Sequence, residues 1–135
     1  MPWSIVSARR MDMEREDLVG RVMADMDPEL LNFLRTRVNS FVKWDLIRFF
    51  GENPYTTDTA ENIARYAGRN VETTQAELAE LAAQGVLVEQ RLGEMTVYSL
   101  SSDPEVRRFI WRFLEASNDR QFRVKAIYHI IRGMR

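Results

Sequence analysis

The stretch from Thr57 to Leu100 constrains the fold most, because its glycines at 68, 85 and 93 cut it into pieces that each read clearly. Asp58-Thr59-Ala60-Glu61 has the spacing of a capping box, with Asp58 or Thr59 as the cap. Ala60, Ile63, Ala64 and Ala67 then make a narrow stripe of mostly small residues, suited to a close helical neighbour. Gly68 supplies a turn, since a residue without a Cβ enters the left-handed region at little cost. Asn70 can cap a second helix that buries Thr74, Leu78, Leu81 and Ala82 and stops at Gln84-Gly85. Val86-Leu87-Val88 begins a strand, Leu92-Gly93-Glu94 turns, and Met95 to Leu100 alternates as the returning strand. A two-stranded ribbon is marginal alone, so this hairpin must lean on the helices.

The flanks read as helices. Met11 to Met26 carries Leu18, Val22 and Met26 at helical spacing and predicts an N-terminal arm or helix over 1–26. Asp27-Pro28-Glu29 combines a cap, a first-turn proline and a first-turn carboxylate, with Leu30, Leu31, Leu34 and Val38 behind it. Asn39-Ser40 is either a second cap or a polar point in a continuous helix. The apolar set Phe41, Val42, Trp44, Leu46, Ile47, Phe49 and Phe50 covers nearly the whole circumference, which fits a central core helix over 40–51 first and a dimer seam second. Gly51-Glu52-Asn53-Pro54 is its stop. Ser102-Asp103-Pro104-Glu105 starts another helix, and Val106, Phe109, Ile110, Phe113 and Leu114 follow the helical template without a miss. After Ser117-Asn118-Asp119 a last helix carries Phe122, Ala126, Ile127, Ile130, Ile131 and Met134. The expected class is mainly α with a small β-hairpin, residues 27–135 forming one domain.

Composition removes several functions. There is no cysteine and a single histidine, His129, so thiol chemistry and the usual zinc sites are excluded by inventory. No phosphate-binding glycine loop, serine elbow or metal spacing is present, so neither an enzyme, a cofactor nor a metal is expected. The start is neither a signal peptide nor an anchor, and no apolar run approaches membrane-spanning length, which predicts a cytoplasmic protein with no membrane partner.

Ala64 to Gly68 and Leu81-Ala82-Ala83-Gln84-Gly85-Val86-Leu87 together resemble the winged helix-turn-helix superfamily of bacterial transcriptional regulators, over about a third of the chain. Ala64 and Gly68 match the small residue and the glycine that set the superfamily's turn, and Leu81 to Leu87 its closing phrase. The resemblance implies a winged helix-turn-helix over 58–85, a wing over 86–100 and extra helices over 103–133. It also implies that the second helix enters the major groove of double-stranded DNA. Carried across by position, the contacts are Arg65, Arg69, Asn70, Thr73, Gln75 and Arg91, with Gln75 suited to adenine and Asn70 and Thr73 to phosphate. The chain departs from the pattern at Arg69, where an apolar residue is common, and at Val71, Glu72, Ala76 and Glu77, where cations often stand.

Charge runs against that reading. The formal net charge is −1, giving no global attraction to nucleic acid. Thr57 to Leu100 holds three basic and seven acidic residues, whereas Ser101 to Arg135 holds eight basic and four acidic. Phosphate neutralisation dominates nonspecific DNA affinity, so DNA binding would need a second subunit or the basic tail. Two functions follow as expectations. One is a DNA-binding transcriptional regulator, a homodimer through its terminal helices. The other is a winged-helix protein-interaction module whose acidic face docks a protein partner. A ligand pocket among Trp44, Phe49, Trp111 and Phe113 is a third, though such aromatics more often form core.

Overall fold

The computed structural model describes residues 26–133. The expected N-terminal helix lies outside the described residues except for Met26, which is buried.

Among the described residues, six helices and three strands follow in the order α1 (Pro28–Arg37), α2 (Phe41–Glu52), β1 (Thr57–Thr59), α3 (Ala60–Ala67), α4 (Val71–Ala83), β2 (Leu87–Leu92), β3 (Met95–Leu100), α5 (Pro104–Ala116) and α6 (Arg120–Gly133). The caps explain the boundaries. Asp27 accepts from the Glu29 amide and Asp103 from the Glu105 amide, each just before a first-turn proline. Ser40 accepts from the Lys43 amide at 3.1 Å, which divides α1 from α2 and settles the choice at Asn39-Ser40 in favour of a cap.

The helix stops within Gly51-Glu52-Asn53-Pro54 as expected, and Gly51 has a further part in packing. It lies inside α2, and a Cβ there would come 2.6 Å from Leu114 Cδ1 and 2.9 Å from Ile110 Cγ2. It is the point where α2 and α5 approach, and the helix ends two residues later at the Asn53 cap.

The hairpin has two residues at its tip, Gly93 and Glu94, between the paired Leu92 and Met95. The ribbon is not two-stranded, however. Thr57–Thr59 pairs antiparallel with Ser99–Val97, giving a three-stranded sheet in the order β1-β3-β2. Three residues are too few to show alternation, and Thr59 doubles as the cap of α3, so the helical signal masks the strand. The third strand supplies what an isolated hairpin lacks and ties the sheet directly to the first helix of the motif.

The core is contiguous. Trp44 meets Phe113 edge to face with ring centroids 4.8 Å apart, and Phe33 stacks on Phe109 at 5.6 Å. Trp44, Phe113 and Phe50 are buried, and Phe49 packs between Phe50 and Tyr66. The aromatic set therefore fills the interior. Trp111 stands apart from it, 62% exposed. Among the described residues no helix is long and apolar enough to cross a membrane.

Candidate nucleic-acid interface

The site is built on α3, α4 and the sheet. Gly68, at φ 67° and ψ 34°, lets the chain leave α3, and the Arg69 amide closes the turn on the Ala64 carbonyl at 2.9 Å. Ile63 and Ala64 of α3 and Thr74, Leu78 and Leu81 of α4 are buried, so each helix turns one side inward. The opposite side of α4 exposes Val71, Glu72, Thr73, Gln75, Ala76 and Ala79.

The six residues expected at the interface fall into different situations. Arg65 is exposed in the last turn of α3, where the helix dipole favours a cation. Arg69 is held by α2: its Nε donates to Asp45 Oδ2 at 2.8 Å and its Nη2 donates to the same oxygen. Asn70 caps α4, its side-chain oxygen accepting from the Thr73 amide at 3.1 Å. Thr73 and Gln75 stand exposed on α4. Gln75 opens onto a cleft of about 470 Å³ between α3, α4 and the wing, shared with Glu61, Asn62, Glu94 and Thr96. Arg91 lies on β2, its Nε donating to the Gly93 carbonyl at 3.3 Å, and so flanks the wing tip. The motif thus gathers Arg65, Arg69, Asn70, Thr73 and Gln75 around one turn, while Arg91 reaches the site only through the wing.

The acidic residues of the motif are not uniformly free. Lys43 is 1% exposed, and its Nζ lies 2.8 Å from Glu80 Oε1 and 3.7 Å from Glu77 Oε2. The Ser40 hydroxyl donates to Glu77 Oε2 at 2.9 Å. Asp58 accepts from the Thr59 amide and from Asn62. The Tyr98 hydroxyl donates to Glu89 Oε2 at 2.9 Å, and burial, reinforced by that carboxylate, pushes the Tyr98 phenol up to about 12. Among the described residues, four of the seven carboxylates are therefore engaged by other side chains or amides of the chain, and Glu61, Glu72 and Glu94 are not. The partner of Glu77 and Glu80 is hidden in the sequence, because Lys43 is separated from them by more than thirty positions and sits in a run dominated by apolar residues.

Four of the tail arginines have other partners. Arg112 pairs with both Asp27 and Glu29 at the start of α1, and Arg108 lies 3.8 Å from Glu29. Arg107 donates to the Ser101 carbonyl and Arg123 to the Ser117 carbonyl, each at 2.8 Å. These cations brace α1 and the ends of α5 and do not fold back onto α4. No group of His, Asp and Glu among the described residues could hold a metal ion.

A helix-turn-helix whose second helix presents its outer side beside a sheet wing is the winged helix-turn-helix fold. Solved structures agree. The chain superposes on a crystal structure of a possible transcriptional regulatory protein (fragment 1–100) from Mycobacterium bovis with a TM-score of 0.53, at 16% identity over 67% of this chain and 94% of that one. It is equally similar, at 0.53 and 16% identity over 70% and 90%, to the solution structure of a homodimeric winged helix-turn-helix DNA-binding domain from the same organism, a possible ArsR-family regulator. The crystal structure of the antimony-specific transcriptional repressor AntR matches at 0.53 and 19% identity over 70% and 92%. No protein-family model and no curated protein matches the sequence.

Proposed function

We propose that this chain is a DNA-binding transcriptional regulator, with no enzymatic activity, that acts as a homodimer. The observation that carries this reading is the outer side of α4: Thr73, Gln75 and Ala76 are exposed beside the wing, while Glu77 and Glu80 turn toward α2. In this reading Gln75 meets adenine, Thr73 and Asn70 meet phosphate, and Arg65, Arg69 and Arg91 supply the cations. The winged-helix neighbours, one of them a homodimeric DNA-binding domain, support it at the level of the fold.

A second surface supports the dimer. Val124, Ile127, Tyr128 and Ile131 follow one another at helical spacing on α6 and are 56%, 41%, 39% and 56% exposed. An apolar stripe of this kind stands on the terminal helix, away from the reading side, and a two-fold axis there would set two copies of α4 on a split site. Tight association with duplexes selected from a random pool, weakening steeply as salt rises, is the expected result. Full-length protein that retains no duplex at low salt would sink the proposal.

The protein-interaction alternative draws on Glu61 and Glu94, which line the cleft between α3 and the wing. It predicts that a basic peptide competes at that cleft and that duplex DNA does not.

A further inference from the structure

Lys43 occupies a costly position. It stands in the first turn of α2, where the helix dipole disfavours a cation, and it is 1% exposed. Its ammonium is held by Asn39 Oδ1 at 2.8 Å, Glu80 Oε1 at 2.8 Å and Glu77 Oε2 at 3.7 Å. Glu77 and Glu80 stand three residues apart on α4, their side chains 21% and 49% exposed, bordering the face that packs on α2. Ser40 completes the arrangement with one hydroxyl, which accepts from the Lys43 amide as the α2 cap and donates to Glu77. An aspartate could also cap there but would repel Glu77.

We propose that Lys43 is the internal counter-ion of the reading helix, a positioning residue that holds Glu77 and Glu80 against α2 and cancels part of the charge they would otherwise direct at DNA. The proposal rests on the DNA-binding reading above. One cation against two carboxylates leaves the cluster at a net −1. Without the lysine it is −2, on a helix that carries no cation of its own. Both carboxylates would then be free to swing outward, and a polyanion approaching α4 would meet them unscreened. This also accounts for the departure from the superfamily's pattern at Glu77: the balancing cation comes from the neighbouring helix.

The test measures affinity of the full chain for the duplex that the wild type selects from a random pool, across a salt series, beside thermal melts of each variant. Lys43→Met is expected to weaken binding at least tenfold at low salt, with the gap closing as salt screens the repulsion. Lys43→Met/Glu80→Gln returns the cluster to −1 and is expected to recover affinity to within about threefold of wild type. Lys43→Gln makes the same charge change and replaces Lys43→Met if the latter does not fold. Unchanged affinity in the folded single variant would overturn the proposal. So would a loss that Glu80→Gln does not reverse, or one indifferent to salt, since a purely structural role produces that pattern. A wild type that selects no duplex overturns the DNA-binding reading itself and this inference with it, a result distinct from either of the others.

Discussion

The outer sides of α4 and α6 are both exposed, yet they present opposite chemistry. On α4 the exposed positions carry Glu72, Thr73, Gln75, Ala76, Ala79 and Glu80, with Val71 as the largest apolar side chain at 39% exposure. On α6 they include Val124, Ile127, Tyr128 and Ile131, flanked by Arg123 and Arg132. The first set loses little by staying wet and offers hydrogen-bonding groups and methyls, which suit the hydrated edges of base pairs. The second gains only when another apolar surface removes it from water. Under the proposed function, one fold therefore offers two surfaces for two kinds of partner.

The largest expected effect separates them from the α6 side. In Ile127→Asp/Ile131→Asp, four altered side chains across a two-fold interface would each forfeit roughly 1 kcal/mol of burial, so the dimer should weaken about a thousandfold. Sedimentation equilibrium checks this, and circular dichroism should show the monomer still folded. A dimer that survives the substitutions would break the assignment of that face.

From the α4 side, Gln75→Ala should cost about 1–3 kcal/mol of binding to the selected duplex and relax its preference at one base pair. Dimerisation should not change. If the substitution instead altered self-association, the division between the two surfaces would be wrong.

Gly51→Ala probes the packing that relates them. A methyl 2.6 Å from Leu114 Cδ1 and 2.9 Å from Ile110 Cγ2 must displace those side chains of α5, at an expected cost of roughly 1–3 kcal/mol in urea unfolding. The smallest effect is a pH dependence on α6. Burial, with Arg35 and Arg132 nearby, holds the His129 imidazole below its ordinary 6.5. The unfolded chain therefore takes up its proton first as pH falls, so this contribution to stability is complete above 6.5 and is lost as pH drops through the folded value. Urea midpoints at pH 7.5 and 5.5 should differ by less in His129→Gln than in the wild type.

Local signals in the chain were strong where one residue type does one local job. Asp27-Pro28, Asn70, Gly68 and Asp103-Pro104 mark ends through capping and turn geometry that need no distant partner. The candidate contacts on α4 were legible for the same reason, since helical periodicity separates Thr73 and Gln75 from the buried Thr74 and Leu78. What escaped were features made by partners far apart in the chain. Thr57–Thr59 becomes a strand only because Val97–Ser99 lies alongside, and Gly51 matters only because Leu114 arrives there.

The chain alone determined the winged helix-turn-helix order, because caps, turns and periodicity act over a few residues and agree with one another. Tertiary structure alone decided the electrostatics around α4. Lys43, Asp45 and Ser40 of α2 and its cap reach Glu77, Glu80 and Arg69 across the helix packing, and only packing brings such charges within a few ångströms. Coulomb interactions follow distance in space, and residue counts along the chain do not report it.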